Sequence, residues 1–121
     1  ESPSGMPGIE TSLPIMLHFP NQQKCTLHDI VKWMCENPAT IYKIKNKGFI
    51  TEGFDADLVI VDLKTSKIIN NDNLYTKVKW SPFHGLQTFG WPVITIVNGN
   101  IVYREGQFFS EIKGKEVMFY E

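Results

Sequence analysis

Three histidines, His18, His28 and His84, are the side chains best suited to hold a metal or move a proton near neutral pH. No two of them stand in an H-x-H or H-x-x-x-H spacing, and each falls in a different expected element. Metal centres draw ligands from short, fixed spacings, so the three read as structural and no metal is assigned to them. Cys25 and Cys35 lie ten positions apart, which is neither a zinc spacing nor a redox CxxC pair. They read as free thiols of a reducing compartment, the cytoplasm. Asp55, Asp57 and Asp62 gather around "ADLVIVD". Acids at turns usually accept hydrogen bonds from nearby backbone, so a catalytic carboxylate pair is not expected there. There is no G-x-S-x-G elbow and no phosphate-binding glycine loop.

Two loops carry other possibilities. "PSGMPG", residues 3–8, combines stiff prolines with glycines that let main chain come close to a partner. Exposed N–H groups on such a loop can bind carbonyl or carboxylate oxygens. A helix N-terminus is expected directly after it and would add positive potential, which Glu10 could answer. An ordinary surface turn explains the same residues equally well. "WSPFHGLQTFGWP" holds Trp80, Phe83, Phe89 and Trp91. It reads as a long loop pinned by its own aromatics, with a ligand platform as the sharper alternative.

The elements that must position these groups change character along the chain. Residues 1 to about 45 read as helical, and those from 48 onward as strands and turns. Leu13, Met16 and Leu17 form an apolar face at i, i+3, i+4, with Ser12 as N-cap and Pro14 in the first turn. Thr26 can cap, and Asp29 three residues on resembles a capping box with the shorter acid, ahead of a second stripe, Leu27, Ile30, Val31 and Met34. Asn37-Pro38 has the order of a cap followed by the first helical position. Gly48 closes this region. "ADLVIVDL" is apolar on both faces and predicts a strand buried on both sides. "TSKIIN" predicts a weaker strand, and the Asn98-Gly99 pair inside "VITIVNGNIVY" predicts a tight hairpin.

The composition is that of an ordinary folded domain: 121 residues, 42% hydrophobic, 21% charged, with a net charge of −1. No basic stripe suggests nucleic acid, and no apolar run approaches the ~20 residues of a membrane span. The helices carry more apolar face than the few strands could cover.

The ordered stretches resemble a known family. "PSGMPGIETSLPIML" resembles the Gly-x-Pro-Gly-hydrophobe-Glu-Thr-x-Leu-Pro segment of dihydroorotases, members of the amidohydrolase superfamily. "LHDIVKWMCENPATIYKIKNKGFITEGFDADLVIVDL" is similar to the family stretch with an Asn-Pro-Ala helix, a Lys-Gly-x-Ile-x-x-Gly turn and the Ala-Asp-Leu-Val strand. "SPFHGLQTFGWPVITIVNGNIVYREGQF" is similar to its Ser-Pro-Phe-x-Gly loop and Asn-Gly hairpin. Hydantoinases usually carry Asp where this chain has Thr11, which favours the dihydroorotase branch.

The resemblance implies an α/β parent, a (β/α)8 barrel plus a small composite β-sandwich. Residues 1–47 would be the last barrel loop and helices, and residues 48–121 the C-terminal share of the sandwich. Active sites of such barrels sit on βα loops, and the opening loop would be one of them. By resemblance, main chain at Ser4 and Gly5 would contact the substrate ring. The family's metal ligands and catalytic Asp have no counterpart in this sequence. The chain is therefore expected to be a C-terminal piece, excised or proteolysed, of a zinc-dependent enzyme converting dihydroorotate and water to N-carbamoyl-aspartate in pyrimidine biosynthesis. Its opening without Met fits that expectation. The piece alone should be inactive and hold no zinc. A small-molecule substrate for the parent is expected, as is a homo-oligomer, with no nucleic acid or membrane partner. Two alternatives stand beside this: a non-catalytic dihydroorotase-like assembly partner, and a parent acting on hydantoin or allantoin.

Overall fold

The computed structural model describes residues 5–121. Helix α1 (Ile9–Asn21) comes first. Then α2 (Leu27–Val31), a five-residue π segment (Lys32–Glu36) and α3 (Asn37–Ile41) follow end to end. Strands β1 (Leu58–Ile68), β2 (Gln87–Val97), β3 (Asn100–Arg104) and β4 (Gln107–Phe108) form a four-stranded sheet in the order β1-β2-β3-β4. The chain divides into two compact units. One runs through Lys24 and resumes at Asp62–Trp91, and the other comprises Cys25–Val61 and Pro92–Glu121.

In the first unit, α1 is capped by Gly8 and not by Ser12. The Gly8 carbonyl accepts from Thr11 N at 3.2 Å and Ser12 N at 2.9 Å, and Ser12 instead donates its hydroxyl to the Ile9 carbonyl. Pro14 therefore lies inside the helix, where it removes one i→i−4 bond. Its burial, with Thr11 and Leu17 on the same face, offsets that loss. Gly90 of β2 adopts φ +95°, and a Cβ there would lie 2.7 Å from the Leu17 Cβ. Only glycine lets strand and helix approach this closely.

In the second unit, the Thr26–Asp29 capping box forms in both directions. The Thr26 hydroxyl accepts from Asp29 N at 3.1 Å, while Thr26 N donates to the Asp29 carboxylate at 2.8 Å. That contact with Thr26, hydroxyl first and backbone second, holds the Asp29 carboxyl below the usual carboxylate range. The expected fresh start at Asn37-Pro38 is not there. Asn37 is itself helical, with φ −62° and ψ −48°, and the π segment just upstream provides the wider turn that Pro38 needs. Ile30 and Ala39 are buried, while Leu27 and Val31 are each 40% exposed. Gly48 turns the chain with φ +88°, and a Cβ there would meet the Ala39 Cβ at 2.4 Å and the Cys35 carbonyl oxygen at 2.8 Å. Near the chain's end, Lys45 N donates to the Met118 carbonyl and Tyr120 N to the Lys43 carbonyl, both at 2.8 Å.

The β half follows its patterning, with two differences. The run from "ADLVIVDL" through "TSKI" is one strand of 11 residues, not two. It is also not buried on both faces within this chain, since Val59, Ile60 and Leu63 are about half exposed. Asn98 (φ 48°) and Gly99 (φ 78°) form the expected two-residue turn, with Val97 opposite Asn100. The register shifts after Thr95, so Val102 has no opposite residue in β2, while its carbonyl accepts from Phe109 N at 3.0 Å on the other side. A second tight turn at Glu105-Gly106 (φ 47° and 92°) sets Arg104 opposite Gln107. No helix among the described residues is long and apolar enough to cross a membrane.

Candidate functional site

Gly5 lies exposed ahead of α1, with nothing within 4 Å of the position a Cβ would take. Ser4 lies outside the described residues. From Gly5 the chain passes through Pro7 to Gly8, whose carbonyl opens the helix.

Glu10, in the first turn of α1, does more than answer its own helix. Its carboxylate accepts from Tyr75 N at 2.9 and 3.1 Å and from Thr76 N at 2.9 Å. Charge-assisted bonds of this kind are about twice as strong as neutral ones. The receiving loop is itself closed, because the Lys79 ammonium donates to the Leu74 carbonyl. At the other end of α1, Phe89 N donates to His18 Nδ1 at 3.3 Å and the two rings stack at 6.1 Å. The Gln22 amide nitrogen Nε2 lies 2.7 Å from His18 Nε2; with Nδ1 accepting from Phe89, Nε2 is the N–H, so the amide must turn to present its oxygen for that contact to be a hydrogen bond.

The expected long aromatic loop is only half loop: residues 87–92, with Phe89 and Trp91, belong to β2, and the part ahead of the strand is fastened by polar groups. Ser81 N donates to Asn71 Oδ1 at 2.9 Å, Asn71 N to His84 Nδ1 at 3.2 Å, and Phe83 N to the Ser81 hydroxyl at 3.2 Å. Ser81 is buried, whereas Trp80 stays 37% exposed. His18 and His84 each spend a ring nitrogen on a backbone N–H, and His28 lies in the first turn of α2. Among the described residues, no group of three or more His, Cys, Asp or Glu could hold a metal ion.

The acidic cluster separates into two structural devices. Asp62 accepts from Lys64 N at 2.8 Å and from the Thr65 hydroxyl at 2.7 Å. Those contacts, Thr65 first, hold its carboxyl below the usual range. Asp55 and Asp57 share Lys47, with Asp55 at 3.0 Å. Asp57 also accepts from Asn98 N at 2.8 Å, and Gly99 N donates to the Ala56 carbonyl at 3.0 Å. The hairpin tip is thereby tied to the Asp55–Asp57 segment. Burial works against ionisation of Asp57, but the Asn98 N–H and the Lys47 ammonium outweigh it and lower its pKa. The Asp57 contact in turn raises that of Lys47, with burial opposing and Asp55 assisting. Lys47 is therefore a bound ammonium, not a nucleophile. Lys47, Asp55 and Asn98 border an open cleft of about 270 Å³ that also meets Lys45, Lys115 and Met118.

The family model described as the amidohydrolase family matches residues 8–102. The chain belongs to the amidohydrolase family. Its relatives within that family include dihydroorotases. The chain is 41% identical over 115 residues to the dihydroorotase of Pyrococcus furiosus, covering 95% of this chain and 28% of that protein. It is 38% identical over 109 residues to that of Methanosphaera stadtmanae, covering 90% and 25%. Among solved structures it is similar to the L-hydantoinase (dihydropyrimidinase) of Arthrobacter aurescens, with TM-score 0.81 and 38% identity over 87% of this chain and 24% of that one. It is also similar to the D-hydantoinase of a Thermus species, with TM-score 0.82 and 27% identity over 88% and 24%. The chain thus spans about a quarter of the length of these relatives.

Proposed function

We propose that the chain is the C-terminal part of a dihydroorotase-like enzyme that opens dihydroorotate with water to give N-carbamoyl-aspartate. The observation that carries this is the 41% identity to a dihydroorotase over 95% of the chain. In this reading, residues 1–47 complete the active-site face of a (β/α)8 barrel and residues 48–121 supply the C-terminal strands of a β-sandwich. Main chain at Ser4 and Gly5 contacts the substrate ring. The exposure of Gly5, with open space where a side chain would be, supports that role.

Zinc chemistry is the resemblance's implication for the parent. The described residues do not fit such a centre, because His18 and His84 are engaged by backbone and no ligand group is assembled. The metal would be held elsewhere in the longer enzyme, and the present chain alone is catalytically silent. Ile9 and Ile50, each more than 90% exposed, support a reading in which the rest of the enzyme or a second copy covers this chain. The enzyme is read as cytoplasmic.

The test is to express the longer protein and assay dihydroorotate, hydantoin and allantoin side by side, then repeat with the 121-residue chain. Turnover of dihydroorotate by the longer protein alone is the expected result. Turnover by the short chain with stoichiometric zinc would overturn the fragment reading. Preference for hydantoin would favour the second reading, which the 38% identity to an L-hydantoinase motivates. No turnover of any of the three, with the upstream H-x-H absent, would favour a non-catalytic assembly partner.

A further inference from the structure

A helix can present a loop accurately only if it can neither rotate nor slide. Helix α1 is fixed at both ends within its unit. At its C-terminal half, the Leu17 backbone lies against Gly90, and His18 Nδ1 receives Phe89 N. At its first turn, Thr11 is buried on one side. On the other, the otherwise exposed Glu10 reaches 65 and 66 positions along the chain to two consecutive amides, Tyr75 N and Thr76 N. Glu10 is separated from Gly8 by one residue, and Gly8 is the last residue of the stiff loop.

We infer that Glu10 is a positioning residue for the substrate-contacting loop: through Tyr75 and Thr76 it sets where the main-chain donors around Gly5 stand. This rests on the proposed dihydroorotase reading. The loop binds the substrate in its ground state, so losing the tether should weaken binding more than it slows chemistry.

The experiment uses the full-length enzyme. Glu10→Ala should raise KM for dihydroorotate by roughly ten- to a hundredfold, the scale of a small misplacement of binding groups. kcat should stay within about threefold, since chemistry on bound substrate does not use the tether. Glu10→Gln keeps one carbonyl oxygen able to accept both amides and should recover most of the loss. Thr26→Ala breaks a capping box in the other unit and serves as the stability control, with KM unchanged. An unchanged KM in Glu10→Ala, or a KM rise in Glu10→Gln as large as in Glu10→Ala, overturns the inference. A wild-type enzyme that opens no dihydroorotate overturns the reading beneath it instead, so the two failures are distinguishable.

Discussion

Replacing Gly48 by alanine tests the packing of the second unit at its tightest point. The residue sits at φ +88°, where an L side chain costs about 1–2 kcal/mol. The added methyl would lie 2.4 Å from the Ala39 Cβ and 2.8 Å from the Cys35 carbonyl oxygen, neither of which is the end of a flexible chain. Overpacking of this kind costs about 1–3 kcal/mol, so Gly48→Ala should destabilise by about 2–5 kcal/mol in all. The origin can be isolated with Ala39→Gly, which alone should cost about 1 kcal/mol as a glycine within a helix. In the double variant the 2.4 Å overlap is gone, while the backbone strain and the Cys35 contact remain. The two changes should therefore couple favourably by about 1–2 kcal/mol. Urea unfolding of the wild type, both single variants and the double variant, with an unchanged slope, measures this cycle. A Gly48→Ala penalty equal in both backgrounds would refute the steric reasoning, and no penalty at all would refute the turn.

Three further outcomes are expected. Thr88 is fully buried and its hydroxyl has no hydrogen-bond partner among the described residues, so Thr88→Val should be neutral or stabilising by up to about 1 kcal/mol; a clear loss in thermal melting would reveal a partner for the hydroxyl. Gly90→Ala should destabilise the first unit by about 2–4 kcal/mol, from φ +95° and the 2.7 Å approach to Leu17, and a melt matching wild type would contradict that packing. The Asp57–Lys47 tie has two edges in pH. Asp57 is depressed on folding, so its contribution is complete above the ordinary carboxylate value of 3.8 and fades as pH falls through its lower folded value. Lys47 is raised, so its contribution is complete below the ordinary lysine value of 10.5 and fades as pH rises through its higher folded value. The stability difference between wild type and Asp57→Asn should therefore shrink toward both extremes, and a difference flat across that range would remove the tie's electrostatic origin.

Local rules in the sequence were followed where the partners are local. The Thr26–Asp29 box spans four residues, and the Asn98-Gly99 turn needs only its own φ angles. The same rules misplaced two helix starts. Ser12 ahead of Leu-Pro and Asn37 ahead of Pro38 both have the look of caps, yet each proline is carried inside helix, one by burial and one by the π segment. The strand at "ADLVIV" was legible from its residues, but its cover was not, because cover is a property of other segments. Glu10 shows the same limit within the candidate site. Its type and place in the first turn suggested an interaction with its own helix, whereas its partners lie more than sixty positions away. Asp62 met the expectation that an acid at a turn accepts nearby backbone N–H, whereas Asp57 did not: the amide it accepts from belongs to Asn98, 41 positions on.

The π segment has a consequence for the angular phase of its helix. Ile30 and Ala39 are both buried, yet they stand nine positions apart. In a regular α-helix nine steps amount to about two and a half turns, which would set them on opposite sides. A π turn absorbs about one extra residue, so the interval counts as about eight steps and brings the two to within about a quarter-turn of each other. The segment Lys32–Glu36 thus works as a phase corrector that swings Ala39 round to meet Gly48. It follows that this stretch could lose one residue, becoming plain α-helix, without moving the inward face on either side of it. A deletion elsewhere in the same helix would turn that face outward.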